Sequence, residues 1–441
     1  MGPYPPHPRT RYPPLIVNAA LTGMVGQRER VPNLPVSEDE IVRDAWLCHQ
    51  LGATIIHLHA RDANGQPEWH PDVYASLIER IRARCPEAVL CVTTSGRTFQ
   101  ELERRAAVLE LSGDAKPDMA SLTLGSLNFA TGPSVNAPIV IEALAERMRA
   151  AGIKAELEVF DSGMASEASR LLDRGLLEPP LYANLLLGSH HTAPATLREL
   201  SHLVDSLPSG TVWAAAGIGA YQLPANALSI FAGGHVRTGL EDNPYLDWER
   251  RLPATNARLV ERVVELAERA GRRPAAPLQA REMLGLALVE EPGYRIRRAR
   301  LPADREGVLR VLETANMHRV PSPEMDGFEV GSWYVAEVEA AIVGVAGFRI
   351  VTTPEGAVGK TTLLAVDPAR RSSGIGRALQ ELRLELMRDR GATRVITNAD
   401  RPETIDWYRR HFGYRIVGEV PKLHEFGLPD VDAWTTLEAE L

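Results

Sequence analysis

Eight short runs of strand-forming residues, separated by helix-forming stretches, constrain this chain more than any other feature. They are LIVNA near 15, ATIIHLHA near 53, AVLCVTT near 88, DMASLTL near 118, AELEVF near 155, LYANLLL near 181, TVWAAAG near 211 and GGHVRTG near 233. Between most of them lie helical patterns. The clearest runs from Ser37 to Leu51, where Ser37 is a candidate N-cap and Glu40, three residues on, completes a capping box. Eight strands alternating with helices over about 250 residues is the arithmetic of a (β/α)8 barrel. A doubly wound open sheet is the rival arrangement.

After the eighth strand, Asn256 to Ala270 reads as a helix, and the basic, proline-bearing GRRPAAP segment follows. A further helix is expected near 278–289, and a boundary near 290–293. From Tyr294 the order changes to a strand, a helix, three strands near 333–366, a helix, a strand, a helix and a strand. The expected organisation is an extended proline-rich arm over 1–14, a barrel over 15–290 and an α+β domain over 294–441.

The chain has 441 residues, 44% of them apolar and 24% charged, which is enough to bury a sizeable core. Its 49 basic and 57 acidic side chains leave a net charge of −8, so it has no basic surplus for nucleic acid or anionic membranes. Cys48, Cys85 and Cys91 are too few and too scattered for a disulfide framework, which points to a reducing cytoplasm. The opening MGPYPPHPRTRYPP has proline where a secretory signal needs an apolar core, and no run of 18 apolar residues follows. The expectation is therefore a cytoplasmic protein with neither nucleic acid nor a membrane as its partner.

In ATIIHLHARD, the side-chain period of two puts His57, His59 and Arg61 on one face of a strand, at its carboxyl end. Barrel sites lie at that end, where inward side chains from different strands meet. The eighth run ends in Glu241 and Asp242, and in a closed barrel it neighbours the first strand and lies near the second. Two imidazoles and one carboxylate would leave an open position on Zn2+, as catalytic sites do. The same pattern also suits two hydrogen-bonded interior histidines and a pair of solvated loop acids.

These residues belong to a wider set. LIVNAALTG, LGATIIHLHARDANGQP, LNFATG near 127, ELEVFDSGM from 156, WAAAGIG from 213 and GGHVRTGLEDN from 233 together resemble the β-keto acid cleavage enzymes, over about 15–289. The resemblance implies a zinc barrel with His57, His59 and Glu241 as ligands. It also implies exchange of parts between acetyl-CoA and a 3-oxo acid, giving acetoacetate and a new acyl-CoA. Arg237 and Asp242 match the family's orienting cation and general base, and Glu158 its carboxylate on strand five. Thr93 and Ser121 match its small hydroxyl residues near the substrate, although polar packing in a barrel core would use the same types. One departure bears on specificity. A member with an amino substrate has Glu two residues past the first-strand glycine, whereas here Gly23 is followed by Met24 and Val25. The expected substrate is a 3-oxo acid without a cationic amine at that place. His190 and His191, in the loop after the sixth strand, are expected either to touch CoA or to be solvated. Family members commonly assemble, so a homo-oligomer is implied.

Between a strand and an amphipathic helix in the second domain, Arg371, Ser372, Ser373, Gly374, Ile375 and Gly376 form an R-x-x-G-x-G turn. Its backbone N–H groups can cradle a pyrophosphate. With NADRPETIDWYRRHFGYRIVG, this stretch resembles the GNAT family of N-acetyltransferases across about 294–417. The resemblance implies acetyl-CoA bound at 371–376, Asn398 near the cofactor and Tyr408 as the acid that protonates the departing thiolate. Tyr408 could instead only pack its helix against the sheet. The leading expectation is a bifunctional acyltransferase. The rivals are a barrel enzyme with a non-catalytic acyl-CoA-sensing domain, and a zinc hydrolase.

Overall fold

The computed structural model describes residues 12–129, 132–290, 292–300, 302–314, 332–422, 428 and 430–441. Most of the expected arm over 1–14 therefore lies outside the described residues. The chain divides into two compact units, Met1–Glu291 and Pro292–Leu441.

In the first unit eight parallel strands close into a barrel in sequential order. They are β1 (Val17–Ala20), β2 (Ile55–Leu58), β3 (Val89–Val92), β4 (Met119–Thr123), β5 (Lys154–Val159), β6 (Tyr182–Leu187), β7 (Val212–Gly217) and β8 (His235–Thr238). Each is followed by a helix: α1 (Glu38–Gln50), α2 (Pro71–Arg82), α3 (Leu102–Ala106), α4 (Pro138–Ala151), α5 (Ser162–Asp173), α6 (Leu197–Ser206), α7 (Gln222–Ala232) and α8 (Asn256–Arg269). This is the (β/α)8 arrangement, and the open-sheet rival is excluded by the pairing of β1 with β8. The capping box at Ser37 and Glu40 is present. Two of the four orphan N–H groups at the start of α1 are thereby satisfied. On α8, Leu259, Val260, Val263, Val264 and Ala267 form the buried stripe, each larger side chain contributing roughly 1.5–3 kcal/mol.

The lower end of the barrel is closed by apolar packing. Ile16, Ile55, Val89, Met119, Tyr182 and Ala214 form one cluster with Ala280 and Leu284 of α9 (Pro277–Leu284). The helix expected to run to 289 stops at Leu284, because Gly285 takes the left-handed conformation (φ 64°) and ends it. Above this apolar plug the strands turn polar, with Asn18, His57, Glu156, Asn184 and Arg237 all buried.

The second unit is a seven-stranded sheet with helices α10 (Arg305–Thr314), α11 (Ile375–Asp389) and α12 (Pro402–Phe412). Its strands are β9 (Arg295–Arg298), β10 (Ser332–Val338), β11 (Ala341–Thr353), β12 (Gly356–Val366), β13 (Arg394–Ala399), β14 (Arg415–Pro421) and β15 (Ala433–Glu440), in spatial order β9-β10-β11-β12-β13-β15-β14. The sequence pattern placed the last strand near 417. The structure adds β15, which lies antiparallel to both β13 and β14 and separates them. Strands β12 and β13 pair in parallel only over Val358–Lys360 and Arg394–Ile396, although both continue beyond. Among the described residues no helix is long and apolar enough to cross a membrane.

Candidate active sites

Strand parity brings His57 and His59 to one face, as expected from the sequence, and both are buried. Their Nε2 atoms lie 3.2 Å apart. Glu241, in the turn after β8, places Oε2 at 3.3 Å from His59 Nε2 and 3.8 Å from His57 Nε2. Ligands of a tetrahedral site with bonds of 2.0–2.1 Å stand about 3.3 Å apart. The triangle of donor atoms therefore fits a divalent ion. One further observation agrees: Glu241 Oε2 is buried with no hydrogen-bond partner among the described residues. Burial alone would raise the Glu241 carboxyl, but the His59, Arg237 and His57 charges hold it well below the usual carboxylate range. Gly23, at φ 70°, makes the approach possible, since a Cβ there would lie 2.7 Å from Glu241 Cγ. Arg61 secures the same turn by donating to the Gly23 carbonyl at 2.5 Å.

Arg237, 1% exposed, is the hub of the acidic cluster. Its Nε donates to Asp242 Oδ2 at 3.0 Å and its Nη2 to Glu241 Oε1 at 2.8 Å. Its Nη1 lies 3.5 Å from Glu158 and 3.9 Å from Glu156, without a hydrogen bond. Asp242 and Glu158 are both raised above the usual carboxylate range, burial outweighing the opposing Arg237 charge. A buried carboxyl raised in this way is a better proton acceptor than a solvated one.

A cavity of about 390 Å3 opens on this cluster, lined by His59, Thr93, Glu158, Arg237, Glu241 and Asp242, with Met24, Val25, Phe129, Phe160, Leu186 and Ile218 as apolar wall. Arg97 also lines it, stacked on Phe129 with its guanidinium carbon 3.8 Å from the ring centre. His190 lines the cavity, and His191 does not. Ser121 lies outside the lining: its Oγ accepts the Thr94 N–H at 3.3 Å and its carbonyl accepts the Thr94 hydroxyl at 2.6 Å. Thr123, one step higher on β4, lines the cavity and donates to Glu158 at 2.6 Å.

Sequence reasoning missed Glu156. It is fully buried, with Oε2 at 2.7 Å from His57 Nδ1. Asn18 and Asn184, polar residues inside apolar strands, donate to its Oε1 at 2.6 and 2.8 Å. Burial would raise Glu156, but His57 and Arg237 bring it down to about 2. The available signal was its parity with Glu158 in ELEVF.

In the second unit, the turn before α11 carries Ser372 at φ 64° and Gly374 at φ 85°, and residues 371–374 are exposed. The left-handed position at Gly374, the N-cap, suits glycine and starts the helix with its first N–H groups unpaired within it. Ser373 Oγ donates to the Arg370 carbonyl at 2.6 Å. Asn398 accepts from Thr436 of β15 at 3.0 Å. Tyr408 is buried, and its Oη accepts from Arg383 Nη2 at 2.8 Å.

Residues 14–286 match the family model described as beta-keto acid cleavage enzyme. The chain belongs to that family. Residues 306–414 match the acetyltransferase (GNAT) family, and with both matches the chain is an acyltransferase. It is similar to the 3-keto-5-aminohexanoate cleavage enzyme of Acetoanaerobium sticklandii, 38% identical over 275 residues, covering 62% of this chain and 98% of that one. It is also similar to the 3-oxoadipate:acetyl-CoA acetyltransferase of Cupriavidus necator, 36% identical over 283 residues, covering 64% and 98%. The solved binary complex of ObcA with oxaloacetate shares the barrel fold, with a TM-score of 0.54, 21% identity, and coverage of 58% of this chain and 68% of that one.

Proposed function

We propose that the barrel exchanges acyl units between a 3-oxo acid and acetyl-CoA, releasing acetoacetate and a new acyl-CoA. The observation that carries this reading is the donor triangle of His57, His59 and Glu241, of which His59 and Glu241 line the cavity. His57, His59 and Glu241 would hold a zinc ion there, which would supply Lewis acidity favouring the enolate at C2. Asp242 accepts the C2 proton, and Arg237 orients Asp242 and balances the charge that develops. The C2 carbanion attacks the acetyl thioester carbonyl, a C–C bond forms and the C–S bond breaks. The CoA thiolate then attacks the original ketone. Cleavage between C2 and C3 gives the acyl-CoA and the acetoacetate enolate, which takes back the proton held on Asp242. Thr93 and Glu158 line the space that the substrate would occupy, and Ser121 holds Thr94, the residue after Thr93.

Met24 and Val25 form apolar wall where a substrate ammonium would need an acid, and Arg97 adds a positive charge to the same cavity. The substrate in this reading carries no amine at that end. Screening 3-oxo acids with acetyl-CoA, with mass spectrometric detection of acetoacetate, tests both points. Turnover without acetyl-CoA would replace the reading with a hydrolase. Faster turnover of an amino-3-oxo acid than of an uncharged one of equal length would overturn the specificity.

For the second unit the proposal is N-acetyl transfer from acetyl-CoA. The pyrophosphate rests on Arg371–Gly376, Asn398 lies near the cofactor and Tyr408 gives its proton to the departing thiolate. Support comes from the exposed turn at the start of α11 and from the end of the β12–β13 backbone pairing at Lys360 and Ile396. Tyr408→Phe is expected to abolish transfer while acetyl-CoA binding survives. If the wild-type chain binds acetyl-CoA but acetylates no amine, the domain is a sensor. We place the protein in the cytoplasm as a homo-oligomer, a state that light scattering tests.

A further inference from the structure

We propose that Glu156 is a positioning residue that sets the metal affinity of the barrel by fixing which nitrogen of His57 carries a hydrogen. The inference rests on the reading that His57, His59 and Glu241 hold a divalent ion.

Groups from four strands converge on this carboxylate, which β5 supplies: Asn18 from β1, His57 from β2, Cys91 from β3 and Asn184 from β6. Oε1 receives the two amides, at 2.6 and 2.8 Å, and Oε2 receives the Cys91 thiol at 3.2 Å. An ionised carboxylate only accepts, so the ring atom 2.7 Å from Oε2 must donate. His57 Nδ1 therefore carries hydrogen, and in the neutral ring the Nε2 lone pair is turned toward His59 and Glu241, where an ion needs it.

The second imidazole differs. His59 Nδ1 is buried and meets no hydrogen-bond partner among the described residues. His57 is thus preset before an ion arrives by a carboxylate on its far nitrogen, whereas His59, among the described residues, has no such partner on Nδ1 and meets only His57 and Glu241, on its Nε2 side. The two ligands stand two residues apart at the end of one strand and on one face, so the difference lies in what each Nδ1 meets, which is Glu156 for His57 alone.

Glu156→Gln preserves shape and changes only the pattern of donors. If its NH2 group faces His57, two donors meet and the ring is driven to carry hydrogen on Nε2, pointing at the ion. If the group faces the other way, it meets the Asn18 and Asn184 amides. Neither orientation satisfies all partners.

The test uses the full chain, with zinc titrated against a competing chelator and ring-nitrogen NMR shifts of His57 recorded without metal. The expected result is zinc affinity weakened by about 10- to 100-fold in Glu156→Gln, with hydrogen on His57 Nδ1 in the wild type. A folded variant that binds zinc within twofold of the wild type overturns the inference and leaves the metal site standing. Should the variant not fold, the wild-type spectrum decides: a bare Nδ1 overturns the inference and a protonated one supports it. A wild-type chain that binds no zinc overturns both this inference and the metal reading.

Discussion

Arg237 in the barrel and Arg383 in the second unit are equally buried, each about 1% exposed, yet their surroundings are opposite. Four carboxylates lie within 4 Å of Arg237. Arg383 instead donates to the Gly347 and Leu363 carbonyls, the Gln380 amide oxygen and the Tyr408 hydroxyl, none of them a carboxylate. Removing a charge from the first leaves uncompensated acids in a low-dielectric interior, and removing it from the second leaves only neutral acceptors. One guanidinium organises a site that must hold and release charge. The other ties two strands and α12 to α11.

The largest effect is expected at Arg237→Met. Acyl exchange should fall by about 10²- to 10³-fold in kcat, and the metal-free protein should lose about 3–5 kcal/mol as Glu241, Asp242 and Glu158 face one another. Added zinc should restore part of that stability through binding to the folded state. Denaturant unfolding with and without zinc measures it.

Acid sharpens the comparison within the barrel, where His235 lies near a third buried guanidinium, Arg272. His235 Nδ1 accepts the Ile16 N–H at 2.9 Å, joining β8 to the start of β1. Burial and the Arg272 charge lower its pKa to about 3. The unfolded chain, with histidine near 6.5, then takes up the proton first. The stabilisation is present above pH 6.5 and is lost as pH falls toward 3, on the order of 3 kcal/mol by pH 4. Hydrogen exchange of the Ile16 amide should accelerate over that range, and His235→Asn should flatten the dependence.

Arg383→Met should cost about 1–3 kcal/mol, the loss expected for orphaned buried acceptors. Zinc should recover none of it, and acyl exchange in the barrel should be unchanged. Equal zinc sensitivity of the Arg237 and Arg383 variants would break the contrast. The smallest effect is expected at Ser37→Ala, about 1 kcal/mol from the lost cap on α1, read from the unfolding midpoint with neither activity altered.

The eight barrel strands were legible because each is an apolar run bounded by turn or cap residues, and period two alone put His57 and His59 together. Glu156 and Glu158 share that parity, so sequence could not say which meets an imidazole. That depends on height within the barrel, where Glu156 sits level with His57 and Glu158 nearer the mouth. Ser121 and Thr123 present the same ambiguity. Gln380 and Arg383 lie on the buried face of an otherwise amphipathic α11, and nothing local announces the Tyr414 and Tyr408 hydroxyls that they reach. Strand β15 was hidden because WTTLEAE lacks a clean alternation: Trp434 is buried on one face, and Leu437 and Ala439 on the other.

The insertion of β15 imposes an order on biosynthesis. β14 leaves the ribosome before the strand that joins it to the sheet, so its backbone groups have no ladder to enter until residues 433–440 emerge. A nascent chain stalled before Ala433 would carry β13 with one unfilled edge and β14 with no neighbour, and such a chain is a substrate for chaperones.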